Sequence, residues 1–219
     1  AQTGASIRQV DANASGNIDP ILIRQALTDR TKAIVITHMW GHPCASSDIA
    51  QIAKESNIRL VEDCSHAHGA LINNEPVGSH GDISIWSLQG QKNITGGEGG
   101  ILVTNDESLF ERAVLLGHYN KRAKQQVSPS SEFAKFTTTG FGLKLRAHPL
   151  AIAIANEQLS HLDHWRETKH RFAERFRQAL HRYAFIRLPA TSGSQPAWYA
   201  LVFNYNQQEA GVPIDIFMR

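Results

Sequence analysis

The chain has 219 residues, and 42% of them are hydrophobic, which is enough to bury the core of one large domain or of one domain and part of a second. The formal net charge is +2, and the cations are spread along the chain, so a nucleic-acid surface is not indicated. No run is apolar for the length of a membrane span, and Cys44 and Cys64 lack a secretory spacing. We therefore expect a cytoplasmic protein with reduced thiols and with neither nucleic acid nor membrane as a partner.

The first half of the chain alternates helix and strand patterns. Asp19 followed by Pro20 predicts a capped helix that ends between residues 28 and 30. The β-branched run 33–37 is of the kind buried on both faces of a parallel sheet. Ser46 or Ser47 should cap a second helix, whose buried side is Ile49, Ile52 and Ala53. Further strands are predicted at 58–61, 82–87 and 100–104.

The second half is predicted to be mainly helical. Asp106 should begin a helix that Gly117 ends, and the polar stretch 118–142 is typical of a long surface loop. The pattern from 149 to 180 is helical with a bend near 161–163. The remaining predicted segments are a linker at 188–196, a strand at 198–203 in a second small unit, and a helix that begins near 212.

This order of elements predicts an α/β fold with a mixed, mostly parallel sheet flanked by helices. We expect residues 1–165 to form a large domain and residues 166–219 to begin a small C-terminal domain. Ligands of such folds gather where the strands end at their carboxyl edge.

Lys92 follows the predicted strand 82–87 and precedes a segment with four glycines, Gly96-Gly-Glu-Gly-Gly100. A lysine in such a loop can form a Schiff base with an aldehyde cofactor. The glycines permit positive φ and a close backbone approach, which a loop packed on a cofactor needs. Taken alone, Lys92 would be an exposed loop lysine.

Asp63 lies at the end of another apolar strand and is the candidate partner of a protonated pyridine nitrogen. Its alternative role is that of a turn aspartate. His66, three residues later, is placed to hydrogen-bond to, or to stack on, whatever Asp63 holds. Together with Lys92, these residues are the smallest set that a pyridoxal phosphate site requires.

Two other uses of these residues are less favoured. The lysine precedes the glycines and no GK[ST] follows, so the segment does not match a nucleotide-binding phosphate loop. Ser87 is instead a candidate hydroxyl donor to a single phosphate. Histidines lie near both cysteines, but neither cluster has the paired spacing of a structural zinc site, so we predict no metal. Lys144 and Arg146 could meet a phosphate or carboxylate, or could belong to a solvated basic turn.

In combination, the motifs resemble those of the DegT family of pyridoxal-phosphate sugar aminotransferases, which have the aspartate aminotransferase-like fold, type I. The matching segments keep the family's order and spacing across roughly residues 1 to 165. They are RTKAIV at 30–35, HMWGHP at 38–43, EDCSHAHGA at 62–70, VGSHGD at 77–82, SLQGQKNITGGEGG at 87–100, GLKLR at 142–146 and QL at 158–159.

The resemblance implies a role for each matched residue. Lys92 would form the Schiff base with pyridoxal 5'-phosphate, Asp63 would bind the pyridine nitrogen, and His66 would lie by the ring near its 3-oxygen. Ser87 would bind the cofactor phosphate, and Gln89 would line the site. A further position departs from the pattern: Lys144 stands where the family commonly has an asparagine that reaches the phosphate of the neighbouring subunit.

The resemblance also implies that part of the pocket lies outside this sequence. The family's phosphate-binding turn and its ring-stacking aromatic precede the position of Ala1. The chain begins without methionine and stops at Arg219 inside a predicted helix, so we expect it to be part of a longer protein.

The implied reaction is transfer of an amino group from glutamate or glutamine to a nucleotide-linked keto-sugar or a keto-cyclitol, carried out by a homodimer. One alternative is a sugar dehydratase on the same fold, but the family's dehydratases have histidine in place of the lysine, so Lys92 favours transamination. The other is a non-catalytic regulator or an inert fragment that retains the fold.

Overall fold

The computed structural model describes residues 3–190 and 193–218. The helices are α1 Pro20–Ala26, α2 Ser46–Glu55, α3 Glu107–Leu116, α4 Asn120–Gln126, α5 Pro149–Leu159, α6 Leu162–Leu180, α7 Gln207–Ala210 and α8 Ile214–Phe217. The strands are β1 Ala33–Thr37, β2 Arg59–Asp63, β3 Leu71–Ile72, β4 Glu75–Pro76, β5 Ile83–Ser87, β6 Gly100–Val103, β7 Ile186–Arg187, β8 Ser194–Gln195 and β9 Asn204–Tyr205. Within the described residues, no helix is long and apolar enough to cross a membrane.

The central sheet has the strand order β1-β2-β5-β6. The first three strands are parallel, and β6 pairs antiparallel with β5, so the predicted mixed sheet is confirmed. Thr37, Asp63 and Ile85 lie opposite one another near the carboxyl ends of the parallel strands. The sheet therefore brings three chain segments to a single edge.

Helices α1 and α2 pack on one face of this sheet. Their buried residues Ile23, Ile49 and Ile52 form a core with Ile34, Ile36 and Leu60 of the strands. Val35 of β1, whose side chain points to the other face, is 60% exposed. The prediction that this run is buried on both faces is therefore wrong, because the helices of this core cover only the even-numbered side of β1.

Local capping chemistry sets most of the helix boundaries. The side chain of Asp19 accepts a hydrogen bond from the Ile21 amide at 2.8 Å, and Asp106 accepts one from the Leu109 amide at 3.0 Å, as predicted. Gly117 follows the last residue of α3. By contrast, α2 begins after Ala45 without a side-chain cap, so the prediction of a serine cap is wrong.

Residues 118–142 are not a simple surface loop, which corrects a second prediction. They contain α4 and a short 3-10 turn at Ala134–Phe136. Ala123 and Val127 are buried against Val114 and Leu115 of α3, with aromatic rings packed around them. The segment folds because these two small apolar residues, four positions apart, share one helix face despite their polar neighbours.

The predicted break in the long helical stretch is confirmed, since α5 ends at Leu159 and α6 begins at Leu162. The predicted strand at 198–203 is wrong. Trp198 has φ of 50°, which interrupts an extended chain, and the strand of this region is β9, which pairs with β7. Strand β8 pairs with β3 in a separate three-stranded sheet, β4-β3-β8. The division of the chain near residue 165 stays a prediction.

Candidate functional site

Two predicted site residues are the last residues of neighbouring parallel strands. Asp63 ends β2 and Ser87 ends β5. The Asp63 carboxylate accepts a hydrogen bond from the Ser65 amide at 2.9 Å, and the Ser87 hydroxyl accepts one from the Gln89 amide at 3.2 Å. Each accepted bond is local, so the chain turns directly after each of these strands.

The loop that carries Lys92 is closed on itself by backbone hydrogen bonds. Leu88 donates to the Gly99 carbonyl at 2.9 Å, and Gly96 donates to the Leu88 carbonyl at 2.9 Å. Gly97 and Gly99 have φ of 89° and 136°, as expected of glycines in a tight loop. A Cβ on Gly96 would lie 2.6 Å from the Ala151 carbonyl oxygen of α5. Positive φ at Gly97 and Gly99 agrees with the prediction, whereas the close approach at Gly96 is to helix α5, and an approach to a cofactor stays a prediction.

Lys92 and His66 meet on the ring of Tyr199. The His66 and Tyr199 rings are stacked with centroids 4.0 Å apart and an interplanar angle of 4°. The Lys92 ammonium nitrogen lies 4.9 Å from the centroid of the same tyrosine ring. The sequence predictions did not include Tyr199, which belongs to the segment that was assigned to a strand of a second unit.

The charges around His66 favour its neutral form. Burial lowers the pKa of His66, the Lys92 ammonium lowers it further, and the Asp63 carboxylate offsets part of the shift. The charges of Lys92 and Asp63 therefore both act on His66. The Nδ1 atom of His66 is buried and has no hydrogen-bond partner in the described parts of the chain. A neutral imidazole with an unpartnered nitrogen can donate one hydrogen bond to a ligand or accept one from it, depending on the tautomer.

Asn93, the residue after Lys92, ties this loop to distant segments. Its side-chain amide donates to the Ala197 carbonyl at 3.1 Å, and its amide oxygen accepts from the Lys169 ammonium at 2.5 Å. Asn93 is a second residue that the sequence predictions missed. Its only sequence signal is a polar amide next to the candidate lysine.

Gln89 and Lys144 differ in their placement. Gln89 lies in the Lys92 loop, where its side-chain oxygen accepts a hydrogen bond from the Gln91 amide at 2.9 Å. Lys144 lies on an exposed stretch before α5, and no hydrogen bond or ring contact in the described residues joins it to the other predicted site residues. The guanidinium of nearby Arg146 lies over the Tyr119 ring at 5.1 Å.

Beneath the site, Glu62 organises a buried hydrogen-bond network. Its carboxylate accepts from the His38 ring at 3.1 Å and from the amides of Gly78, His80 and Gly81. Burial raises the pKa of Glu62, but the hydrogen bonds from His38, Gly78 and Gly81 together outweigh it and hold the pKa below the ordinary value. The network therefore fixes the turn that leads into β5 and so to Ser87 and the Lys92 loop.

The same network accounts for the one group of possible metal ligands found among the described residues, which consists of His38, Glu62 and Cys64. His38 accepts the Cys44 amide through Nδ1 at 2.9 Å, so its ring proton is on Nε2 and points to Glu62. Burial raises the pKa of the Cys64 thiol, and the charge of Glu62 raises it further. A metal would require the thiolate and the Nε2 lone pair, so this arrangement is that of a hydrogen-bond network.

A comparison with protein-family models matches residues 1–216 to the DegT/DnrJ/EryC1/StrS aminotransferase family. The chain belongs to this family. It is 34% identical over 196 residues to the dTDP-3-amino-3,6-dideoxy-alpha-D-galactopyranose transaminase of Aneurinibacillus thermoaerophilus. The aligned region covers 89% of this chain and 51% of that protein. It is also 33% identical over 163 residues to a putative L-glutamine:3-amino-2,3-dideoxy-scyllo-inosose aminotransferase of Micromonospora echinospora. That aligned region covers 74% of this chain and 37% of that protein.

Solved structures of an aminotransferase and of a dehydratase share the fold. The aminotransferase of Psychrobacter cryohalolentis superimposes with a TM-score of 0.82 at 28% identity, over 94% of this chain and 55% of that one. The E. coli GDP-4-keto-6-deoxy-D-mannose-3-dehydratase, with bound hydrated pyridoxal phosphate, does so with a TM-score of 0.76 at 25% identity, over 89% and 52%. The predicted type I fold is thereby confirmed. The chain spans about half the length of these neighbours.

Pyridoxal phosphate is the cofactor of the family's aminotransferases. The residues present fit such a group: Lys92 supplies an amine, Asp63 a carboxylate at a strand end, and His66 a buried nitrogen without a partner. The Ser87 hydroxyl accepts a hydrogen bond from Gln89, so its own proton can be donated to a phosphate oxygen. These assignments of individual residues stay predictions.

Proposed function

We propose that this chain is part of a pyridoxal-phosphate-dependent aminotransferase that acts on a nucleotide-linked keto-sugar or a keto-cyclitol, with glutamate or glutamine as the amino donor. The observation that carries the proposal is the half-buried Lys92, which lies in a self-closed glycine loop after β5 and shares the Tyr199 ring with His66. The names of the relatives, a sugar transaminase and a putative cyclitol aminotransferase, support both acceptor classes.

The bound cofactor supplies an electron-withdrawing ring that stabilises negative charge on a substrate carbon. In this proposal Asp63 holds a ring N–H through its carboxylate at the end of β2. Lys92 would hold the cofactor through its aldehyde group, and its amine, when free, would move a proton to and from the substrate carbon. The edge nitrogen of His66 binds an oxygen substituent of the ring, because Tyr199 covers one face of the imidazole.

A homodimer is part of the same proposal. Helix α5 follows the segment that carries Lys144, and it exposes several apolar side chains that suit a subunit interface. They are Leu150 at 69%, Ile154 at 52% and Leu159 at 57% exposure. Lys144 would then meet the phosphate of the other subunit's cofactor.

Trapping the cofactor on the chain tests the proposal. The full-length protein that contains this chain is incubated with pyridoxal phosphate, reduced with borohydride and mapped by peptide mass spectrometry. We expect the label on Lys92, its loss in Lys92→Ala, and its retention in Lys124→Ala, which removes an exposed lysine of α4. Labelling spread evenly over surface lysines, with Lys92→Ala like the wild type, would overturn the assignment.

The reaction class is decided by the products. With glutamine or glutamate and a keto-sugar nucleotide or a keto-cyclitol, we expect an amino product and the matching keto acid. A deoxygenated sugar without a new amino group would indicate the dehydratase alternative. Labelling of Lys92 without any product from either donor would favour a non-catalytic binding role.

A further inference from the structure

The segment Ala197–Ala200 is held against the site at both ends. The Ala197 amide donates to the Gly41 carbonyl at 2.9 Å, and the Ala200 amide donates to the Trp40 carbonyl at 3.2 Å. Asn93, the neighbour of Lys92, adds a third bond to the Ala197 carbonyl. The segment is thus fixed on the sheet edge and on the Lys92 loop together.

Glycine at position 41 allows this close approach. Gly41 has φ of 87°, and a Cβ there would lie 2.9 Å from the Tyr199 amide nitrogen and 2.9 Å from the His66 carbonyl oxygen. A side chain at this position would push apart the two backbones that bring the Tyr199 and His66 rings together. Three chain segments therefore meet at Gly41, and their backbone atoms leave no space there for a side chain.

From this geometry we propose that Tyr199 is a positioning residue of the site, which fixes the ring plane of His66 and the direction of the Lys92 ammonium. The inference rests on the proposed function, in which those two side chains contact the cofactor. The parallel stack at 4.0 Å prevents the imidazole from turning, so its Nδ1 edge keeps one direction. The π-face attracts the ammonium of an otherwise flexible side chain.

A blocking role for the same ring makes the opposite prediction. If Tyr199 occupied the place of the cofactor ring, its removal would speed up cofactor attachment to Lys92. If Tyr199 positions Lys92 and His66, its removal slows attachment, provided that the rates are compared at a pH at which Lys92 is a free amine and the cation–π contact no longer holds its proton. The sign of the effect therefore separates the two roles.

The first experiment needs no cofactor. Side-chain NMR of the chain reports the ring-current shifts of the Lys92 ε-methylene and His66 ring protons, and the titration of His66. In Tyr199→Leu we expect both ring-current shifts to vanish and the pKa of His66 to rise toward its ordinary value of 6.5. Tyr199→Phe and the remote control Tyr183→Leu should keep the wild-type signals.

The second experiment measures the rate of borohydride-trapped attachment of pyridoxal phosphate to Lys92. Ordering a flexible side chain is worth about 0.5–1.5 kcal/mol, which corresponds to about a two- to tenfold effect. At a pH at which Lys92 is a free amine, Tyr199→Leu should slow attachment by that factor, while Tyr199→Phe matches the wild type. Tyr199→Met replaces the leucine variant if circular dichroism shows that the latter is unfolded.

Unchanged ring-current shifts in the leucine variant, or faster attachment, would overturn the proposal. The two arms also separate this inference from the proposed function. A full-length wild-type protein that takes no label on Lys92 contradicts the proposed function, and in that case the NMR arm alone decides whether Tyr199 holds the two side chains.

Discussion

Replacing Glu62 by Gln should destabilise the fold more than any change of a surface carboxylate. Oε2 of Glu62 accepts from His38 at 3.1 Å and from Gly78 at 3.0 Å, and Oε1 accepts from His80 at 2.8 Å and from Gly81 at 2.5 Å. An amide nitrogen in place of either oxygen faces two donors, and the side chain is fully buried, so water does not replace the lost acceptor. At about 1–3 kcal/mol for each stranded donor, the variant loses about 2–6 kcal/mol.

Urea unfolding followed by tryptophan fluorescence and circular dichroism measures this loss as a fall in the free energy of unfolding. The matched control is Glu55→Gln, which removes one charge from an exposed pair with Arg24 at 2.8 Å and should leave the free energy of unfolding close to that of the wild type. The predicted loss is a large part of the stability of a typical domain, about 5–15 kcal/mol. A Glu62→Gln variant within about 1 kcal/mol of the wild type would refute the reasoning.

Two further predictions concern stability. Gly96→Ala should lower the free energy of unfolding by about 1–3 kcal/mol, because the new Cβ would lie 2.6 Å from the Ala151 carbonyl oxygen. The control is Gly90→Ala, whose Cβ meets only an ordinary contact at 3.7 Å. Equal thermal midpoints for the two variants would contradict this prediction. Burial lowers the pKa of His68 to about 4, so stability is complete above pH 6.5 and falls by up to about 3 kcal/mol as the pH drops from 6.5 to 4. Urea midpoints at pH 7 and 5 should differ less in His68→Asn than in the wild type, and an unchanged difference would disprove the role of His68.

Features that depend on neighbouring residues were predictable from the sequence. The starts of α1 and α3 follow from Asp19 and Asp106, whose side chains cap the amides two and three positions later. The strand-end position of Asp63 follows from the apolar run before it. Each of these outcomes is decided by a few adjacent side chains and the backbone between them.

Features that depend on distant residues were not predictable. Tyr199 reaches His66 only because Trp198 takes a positive φ and Gly41 lets two backbones come close. An aromatic pair after a proline has the composition of a strand, so its pattern favoured the wrong element. The exposure of Val35 has a similar cause, since the run itself does not tell which faces of the sheet other elements cover.

The bonds made by Asn93 also have a consequence for the order of folding. Its partners Lys169 and Ala197 lie 76 and 104 positions further along the chain. Contacts of such sequence separation carry a high loop-closure entropy and form late. The sheet edge can therefore assemble while the Lys92 loop is still loose, and a ribosome must add about a hundred residues after Asn93 before this loop gains its last restraint. The Lys92 loop therefore reaches its restrained form late in folding.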